Sequence, residues 1–252
     1  MKQVGIIGAG SWGTALAVLL GNNGHEVTIW SHDLHEVEML RDKREQQEKL
    51  PDVKLPDNVN VTSDLEESLT GKDVIVMAVP SPVVRSVAKQ MSPFIPDGQV
   101  IVNVAKGIED GTYMTLSAII EEEIPNAEVC VLSGPSHAEE VGRGIPTTVV
   151  VGSKKQDIAE MLQDVFMNQV FRVYTNPDII GIELGGALKN VIALAAGTTD
   201  GLGYGDNTKA ALMTRGIAEL TRLGVALGGK PETFSGLTGI GDLIVTCTSV
   251  HS

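Results

Sequence analysis

The sequence predicts an α/β fold in which an N-terminal Rossmann-type, doubly wound sheet is followed by an all-α C-terminal domain that is truncated. Apolar strand patterns alternate with helical patterns up to about residue 176, which favours a mainly parallel sheet with helices on both faces. The first strand runs into a glycine-rich turn, Gly8-Ala9-Gly10-Ser11-Trp12-Gly13. Beyond Asn176-Pro177 the alternation stops and long helical patterns follow. We therefore predict a dinucleotide-binding domain at 1–178 and a helical substrate domain, incomplete, at 179–252.

The predicted elements follow in chain order. Strands are expected at Val4–Ile7, Glu26–Trp30, 58–61, Val74–Val79, Val100–Val104, Cys130–Leu132, Thr147–Val151 and Phe171–Tyr174, each a short apolar or β-branched run. Helices are expected at Thr14–Leu20, after Ser63 and Ser81, at Ile158–Phe166, and at 179–200 and 207–227. The polar stretch 33–50 is predicted as a helix followed by a loop over 50–57.

Composition limits the function classes. The 252 residues are 42% apolar and 20% charged, which is ordinary for a globular protein, and the net charge of −13 argues against nucleic acid or an anionic membrane as a partner. The longest apolar strand, Val74–Val79, is far too short to cross a bilayer, so we expect no membrane insertion. Cys130 and Cys247 are isolated, which predicts neither disulfides nor a metal site and favours the cytoplasm.

The glycine-rich turn is the candidate cofactor site. In a strand–turn–helix context, Gly8 permits the tight turn, Gly10 lets a pyrophosphate approach the backbone, and Gly13 allows close helix packing. The N-terminus of the following helix offers N–H groups to the phosphates. The alternative is an ordinary glycine-rich turn that binds no ligand. The flanking strand and helix favour dinucleotide binding over that alternative.

The end of the second strand should select NAD or NADP. Asp33 lies where an acidic residue commonly holds the ribose 2′-OH of NAD, whereas His32 could contact a 2′-phosphate. Either residue could instead cap the next helix. The sequence leaves the cofactor preference open.

A buried helix with one charge is the candidate catalytic element. The stretch 184–197 is apolar nearly all round, with Lys189 its only charged residue and Asn190 beside it. Gly185 and Gly186, one turn earlier, suggest open space for a ligand. A buried ammonium needs a partner, and we expect Asp242 to be its counter-charge. Considered alone, Asp242 is more typical of a helix cap.

Polar residues that follow strands are further candidates, because open α/β sheets bind ligands at the carboxyl ends of their strands. Lys106 ends one strand, and Gly134 and Ser136 follow another, the first giving backbone access and the second a hydroxyl. An isolated lysine after a strand is more commonly solvated than functional.

Several motifs together resemble the bacterial NAD(P)-dependent glycerol-3-phosphate dehydrogenases. They are the glycine-rich turn, Lys106-Gly107, Ser133-Gly134-Pro135-Ser136, the run from Phe171 to Asp178, Gly185-Gly186-Ala187-Leu188-Lys189-Asn190 and Gly239-Ile240-Gly241-Asp242-Leu243. The resemblance implies reversible reduction of dihydroxyacetone phosphate to sn-glycerol 3-phosphate with NAD or NADP, feeding glycerophospholipid synthesis. Members of this family continue for several dozen residues beyond Ser252, beginning with an Arg-Asn pair whose arginine is expected to bind the substrate phosphate.

The resemblance also implies roles for individual residues. Catalysis falls to Lys189, with Lys106 and Asp242 acting beside it. Substrate binding falls to Lys106, Gly134, Ser136, Lys189, Asn190, Asp242, Thr246 and Ser252. Ser11, Trp12, His32, Lys106 and Ala138 match cofactor-binding positions of the family, and they join Gly8, Gly10, Gly13 and Asp33, which the glycine-rich pattern and the end of the second strand predict.

Two other functions remain open at this point. The chain could be a different two-domain dehydrogenase acting on a hydroxy acid or a sugar acid, or a dinucleotide-binding sensor without catalysis. Oligomeric state is not predicted, and a homo-oligomer stays open.

Overall fold

The computed structural model describes residues 1–249, which fold into a sheet-based half and a helical half. The strands are β1 (Gln3–Ile7), β2 (Glu26–Trp30), β3 (Glu45–Gln46), β4 (Leu50–Lys54), β5 (Val59–Thr62), β6 (Val74–Met77), β7 (Val100–Asn103), β8 (Glu128–Ser133), β9 (Thr147–Gly152) and β10 (Phe171–Asn176). The α-helices are α1 (Ser11–Asn22), α2 (Leu34–Lys43), α3 (Leu65–Leu69), α4 (Val84–Met91), α5 (Leu116–Glu123), α6 (Ala138–Gly142), α7 (Gln156–Phe166), α8 (Ile179–Gly201), α9 (Asp206–Ala226), α10 (Pro231–Phe234) and α11 (Asp242–Thr248).

Eight of these strands form one sheet in the order β10-β9-β8-β7-β6-β1-β2-β5. All neighbours are parallel except β8 and β9, which pair antiparallel with Leu132 opposite Val151. The short connection between β8 and β9 begins and ends at the same edge of the sheet, so the chain returns in the opposite direction. The predicted Rossmann-type architecture with a helical second half is confirmed, with a reversed pair of strands at one end of the sheet.

The sheet is buried on both faces. Along β6, Val74 and Val76 join one core cluster, which includes residues of α1 and α7, while Ile75 and Met77 join a second cluster, which includes residues of α4 and α5. Successive side chains of a strand point to opposite faces, and apolar residues at every position therefore require helices on both sides. This is why the central strands read as continuous apolar runs.

One segment differs from its prediction. The prediction of a loop over 50–57 is wrong, because β4 lies within that range and forms a small antiparallel hairpin with β3. Leu50 and Val53 are buried in the core cluster that contains residues of α1, and both lie against Gly142 of α6. The two residues of β3 are too few to produce a periodic sequence signal, and burial against α6 depends on contacts distant in the chain.

The helical half is organised around α8, which spans 23 residues. The Asp178 carboxylate caps its first turn by accepting a hydrogen bond from Gly181 N at 3.0 Å, and it also accepts from Lys230 N and Thr233 Oγ1. Helix α8 contacts α9, α11 and a π-helical turn at Leu237–Gly241. The helices expected at 179–200 and 207–227 are both present.

Helix α8 is also long and apolar enough, by length and composition, to cross a membrane. The expectation that no apolar run reaches that length is therefore wrong for this helix. Half of its most apolar window is buried inside the protein, and it carries the buried Lys189. Core helices of globular proteins meet the same criterion, and the packing of α8 against the sheet and its neighbouring helices is of that kind.

Candidate active site

The glycine-rich turn between β1 and α1 has the geometry of a dinucleotide cradle. Gly8 adopts φ +116°, and a Cβ there would lie 2.7 Å from the Ala78 carbonyl oxygen. A Cβ on Gly13 would lie 2.0 Å from the Gly8 carbonyl oxygen, so this glycine lets α1 pack directly on the turn. No atom lies within 4 Å of the Cβ position of Gly10, and the backbone is open to a ligand there.

The N-terminus of α1 faces this opening without a capping side chain or an acidic residue in its first turn. Backbone N–H groups in such a turn attract anions. A cavity of about 780 Å³ begins at the turn and runs along the carboxyl ends of the strands. These residues fit a pyrophosphate-containing cofactor. The predicted site residues that line the cavity are Gly8, Gly10, Ser11, Trp12, His32, Lys106 and Ser136.

Three residues predicted to bind cofactor lie outside the lining of this cavity. Gly13 packs against the turn, and Ala138 is buried in the core at the start of α6. Asp33 caps α2, with its Oδ1 accepting a hydrogen bond from His35 N at 2.9 Å. The capping alternative for Asp33 thus matches the structure.

A cluster of two lysines and one aspartate adjoins the cavity through Lys106, which lines it. Lys189 Nζ donates to Asp242 Oδ1 at 2.6 Å, and Lys106 Nζ donates to Asp242 Oδ2 at 2.7 Å. The expected pairing of Lys189 with Asp242 is present, across 53 residues of chain. Asp242 begins α11, yet the residue is only 1% exposed and its carboxylate bridges the two ammonium groups instead of capping the helix.

The pKa of Lys189 is lowered to about 8, first by burial and then by the neighbouring positive charge of Lys106, while the Asp242 carboxylate opposes both effects. Desolvation disfavours the charged form of an amine, which is why the largest contribution comes from burial. The ammonium and the neutral amine of Lys189 are therefore both accessible near neutral pH. An acid or base of this kind can give or take a proton in either direction of a reaction.

Backbone and hydroxyl oxygens complete the cluster. The Gly134 carbonyl oxygen accepts hydrogen bonds from Lys106 Nζ and from Ser136 Oγ, both at 3.0 Å. Thr246 Oγ1 accepts from Lys189 Nζ at 2.6 Å and donates to the Asp242 carbonyl oxygen at 2.7 Å. Helix α11 thus supplies two partners of Lys189, one turn apart.

The space beside the two glycines of α8 is filled by the protein itself. A Cβ on Gly185 would lie 2.6 Å from the Thr238 carbonyl oxygen, and one on Gly186 would lie 3.1 Å from Ser133 Oγ. The expectation of open space for a ligand there is wrong, because these glycines allow α8 to pack closely against the π-helical turn and β8. Ser133 Oγ is buried and has no hydrogen-bond partner in the described part of the chain.

Two predicted substrate residues fall outside this cluster. Asn190 follows Lys189 on α8 but is exposed. Ser252 lies beyond the described residues.

Sequence reasoning missed the residues at the far end of the cavity and those that support Lys106. Ser31, Glu36 and Lys49 line the cavity near His32. The buried Glu183 of α8 accepts a hydrogen bond at 3.3 Å from Asn103, which bonds in turn to the Ala105 backbone next to Lys106. The position of Ser31 directly after β2 was the available signal; the buried carboxylates lie on helices whose contacts the sequence does not reveal.

Comparison with known proteins gives the family. A family model described as the NAD-dependent glycerol-3-phosphate dehydrogenase N-terminus matches residues 3–159, and the corresponding C-terminus model matches residues 178–252. A glycerol-3-phosphate dehydrogenase [NAD(P)+] of Agathobacter rectalis is 64% identical over 252 residues, which are the whole of this chain and 75% of that protein. A relative of the same name from Bacillus subtilis is 56% identical, with the whole chain covering 74% of it.

Solved structures agree with the sequence relatives. The crystal structure of a glycerol-3-phosphate dehydrogenase from Coxiella burnetii superimposes with a TM-score of 0.96 at 39% identity, covering the whole of this chain and 77% of that one. The match extends across both the sheet-based and the helical halves. The chain therefore belongs to the NAD-dependent glycerol-3-phosphate dehydrogenase family.

Proposed function

We propose that the Lys189 cluster and the adjoining cavity carry out the reversible reduction of dihydroxyacetone phosphate to sn-glycerol 3-phosphate. The observation that carries the proposal is a buried lysine, its pKa lowered to about 8, next to a cavity that begins at a dinucleotide cradle. Glycerol-3-phosphate dehydrogenase is the printed name of relatives up to 64% identical over the whole chain. Neither a hydroxy-acid substrate nor a non-catalytic sensor is favoured by any feature of the site.

NAD or NADP is the cofactor, and its reduced form supplies the hydride that the carbonyl carbon of the substrate accepts. The chain binds the cofactor and orients it. Gly8 and Gly10 leave the turn accessible, and the backbone N–H groups at Ser11 and Trp12 would hold the phosphates of the cofactor. His32 lines the adenosine end of the same cavity.

Lys189 supplies the proton. Its ammonium donates to the carbonyl oxygen as that oxygen gains negative charge, and the neutral amine takes the proton back in the direction of oxidation. Asp242 keeps part of the population protonated, since its carboxylate raises the pKa that burial lowers. Thr246 fixes the direction of the Nζ atom through its hydroxyl.

Lys106 is placed to stabilise negative charge on the substrate. Its side chain lines the cofactor cavity and also reaches Asp242, so it touches both parts of the site. A fixed positive charge near a developing oxyanion lowers the barrier because it needs no reorganisation. We assign Gly134 and Ser136 to the part of the substrate that Lys106 contacts. Asn190 and Ser252 are proposed as substrate contacts on the family resemblance alone.

The test is to replace Lys189 and to measure turnover and cofactor affinity separately. Nicotinamide absorbance follows the oxidation of NADH or NADPH by dihydroxyacetone phosphate. We expect Lys189→Ala to lower kcat by a factor of about 10² to 10⁴, the usual contribution of general acid catalysis, with the Kd of the cofactor unchanged. The matched control is Lys154→Ala, which removes an exposed lysine paired with Glu121.

Near-normal turnover in Lys189→Ala would overturn this assignment. Absence of turnover in the unaltered chain with every substrate would overturn the proposed activity itself.

The wider setting is also part of the proposal. We place the reaction in the cytoplasm, as a source of glycerol 3-phosphate for glycerophospholipid synthesis. The net charge of −13 argues against nucleic acid as a partner, and the local positive charges of Lys106 and Lys189 are compatible with a small phosphorylated substrate. The functional units are 1–178 for the cofactor and 179–252 for the substrate, and self-association of the chain is compatible with this arrangement.

A further inference from the structure

Lys106 lies on the connection 104–115, which joins β7 to α5. Its ammonium group bonds to Asp242 and to the Gly134 carbonyl oxygen, but these contacts at the tip of the side chain do not fix the backbone that carries it. Connections are more mobile than the elements that they join, and a lysine side chain adds its own rotamer freedom. The position of Lys106 Nζ therefore depends on what holds this connection.

One buried carboxyl group, that of Glu183 on α8, bonds to both ends of the connection. At the end of β7, Asn103 Nδ2 donates to Glu183 Oε1 at 3.3 Å. At the start of α5, Ser117 N donates to the same oxygen at 2.9 Å, and Ser117 Oγ donates to Oε2. Glu183 is only 8% exposed, so water is a poor substitute for these bonds and the carboxyl group closes the base of the connection.

Asn103 carries this constraint to Lys106. Its Nδ2 also donates to the Ala105 carbonyl oxygen at 3.1 Å, and its Oδ1 accepts from Ala105 N at 3.2 Å. Ala105 directly precedes Lys106 in the chain. A path of hydrogen bonds through one side chain thus runs from Glu183 to the backbone beside Lys106.

Helix α8 also contacts the side chain of Lys106. Gly186 lies one turn after Glu183 on the same face of the helix, and a Cβ on Gly186 would lie 3.5 Å from Lys106 Cγ and Cδ. Further along the same helix, Lys189 Nζ donates to Asp242. One helix therefore holds the segment that bears Lys106, packs against its methylene groups and carries the second lysine of the site.

These contacts require acceptor oxygens on Glu183, and a full negative charge is not needed for them. Burial raises the pKa of the Glu183 carboxyl group, and the hydrogen bonds from Ser117 oppose that effect. An amide in the same place would accept from Asn103 and Ser117 N through its oxygen. Its Nε2 would donate to Ser117 Oγ, because a hydroxyl group can rotate to accept.

We propose that Glu183 is the positioning residue of Lys106: it holds both ends of the connection 104–115 against α8 and so sets the place of the Lys106 ammonium group relative to Lys189. This role rests on the proposed function, in which Lys106 stabilises negative charge on the substrate, and it involves no contact of Glu183 with substrate or cofactor. A group that stabilises an oxyanion acts only at hydrogen-bonding distance, and a misplacement of about 1 Å can lower the rate about 100-fold.

A double-mutant cycle with Lys106 tests this role. Glu183→Met removes the acceptor oxygens and keeps the length of the side chain, and we expect it to lower kcat/KM for dihydroxyacetone phosphate by about 10- to 100-fold. In a Lys106→Ala background the same change should lower kcat/KM by less than about twofold, because the group that Glu183 positions is already absent. Glu183→Gln should stay within about threefold of the unaltered chain, because it keeps the hydrogen bonds.

The Kd of sn-glycerol 3-phosphate, measured by calorimetry on the same variants, gives the cycle a second readout that needs no turnover. If Glu183→Met does not fold, Asn103→Ala takes its place, since it interrupts the path to Ala105 and leaves Glu183 intact. The effect of Asn103→Ala should likewise disappear in the Lys106→Ala background.

The matched control is Asp178→Ala. Asp178 is a buried carboxylate at the N-terminus of the same helix and also accepts three hydrogen bonds, from Gly181, Lys230 and Thr233, none of which belongs to the connection 104–115. Its loss should lower stability but change kcat/KM by less than about twofold.

Normal kcat/KM in Glu183→Met would overturn the role of Glu183 and leave the proposed function intact. A loss of equal size with and without Lys106 would also overturn it, because Glu183 would then act on the fold and not through Lys106. A Glu183→Gln variant as impaired as Glu183→Met would do the same, because charge and not hydrogen bonding would then be needed. Absence of turnover in the unaltered chain would overturn the proposed function itself.

Discussion

The lowered pKa of Lys189 leads to a specific prediction about the pH dependence of the two reaction directions. In the proposed mechanism, reduction of the substrate needs the ammonium form of Lys189, so kcat in that direction should fall as the pH rises through about 8. Oxidation needs the neutral amine, so kcat in the reverse direction should rise through the same pH. One group with opposite effects on the two directions is the signature of an acid that becomes the base of the reverse reaction.

The magnitude follows from the size of the shift. A group with a pKa of about 8 is roughly 90% protonated at about pH 7 and roughly 10% protonated at about pH 9, so the reductive rate should fall about tenfold over that interval. An unperturbed lysine would lose only a few per cent of its charge over the same range. The shift in the pKa of Lys189 from 10.5 to about 8 corresponds to about 3 kcal/mol that disfavours the charged form in the folded chain.

The same shift affects stability with a defined sign. Because the pKa of Lys189 is lower in the folded chain than in the unfolded one, the unfolded chain binds more protons between about pH 8 and about pH 10.5. The contribution of this group to the free energy of unfolding should therefore be most unfavourable below about pH 8 and should improve as the pH rises through that window.

The assay measures kcat in both directions by nicotinamide absorbance from about pH 6 to about pH 10, at saturating substrate. Two variants sharpen it. Lys189→Arg keeps a permanent positive charge, so the change of kcat near pH 8 should disappear. Most of the activity should be lost as well. Asp242→Asn removes the carboxylate that raises the pKa of Lys189 and should move the limb to lower pH. A reductive limb above about pH 10, or the same limb in Lys189→Arg, would refute the reasoning.

The remaining predictions concern the cradle and the junction between the halves. Gly10→Ala should keep the urea unfolding midpoint but weaken cofactor binding about tenfold or more, since its methyl enters open space beside the turn; unchanged cofactor affinity would count against the cradle. Gly8→Ala should lower the free energy of unfolding by about 2 kcal/mol or more, because of its φ of +116° and the Ala78 oxygen at 2.7 Å, and a variant as stable as the unaltered chain would contradict this. Asp178→Ala, which removes the acceptor of three hydrogen bonds, should lower the free energy of unfolding in urea by about 2–4 kcal/mol. Its effect on nucleotide affinity should be negligible. A large effect would show that the cap also supports the cofactor site.

Local signals in the sequence predicted the elements that position the site. The central strands are runs of buried β-branched residues, and Gly8 and Gly13 are glycines because the backbone leaves no room for a side chain. The pairing of Lys189 with Asp242 was also predictable, since a buried ammonium requires a counter-charge. The strands and the glycines depend on one residue and its immediate surroundings, whereas the ion pair was inferred from the general need of a buried charge for a partner.

Other features depend on contacts distant in sequence. Lys106 reaches Asp242 across 136 residues, and no local pattern indicates that one carboxylate serves both lysines. Lys49 becomes a cavity residue because the β3–β4 hairpin packs against α1, α2 and α6, and the strand β3 is only two residues long. The glycines of α8 were read as space for a ligand, whereas their function is close packing of the helix. Glycine in a helix predicts a close approach and does not identify what approaches.

The carboxylate shared by Lys106 and Lys189 has a consequence for motion. Lys106 follows a strand of the sheet, whereas Lys189 and Asp242 belong to the helical half, so the ion pair ties the two halves together at the floor of the cleft. Any rotation that widens the cleft there must separate buried opposite charges, which is costly where water is excluded. We therefore expect the sheet-based and helical halves to move relative to each other mainly at a distance from these ion pairs. Lys106, Lys189 and Asp242 should keep their spacing while cofactor and substrate enter and leave.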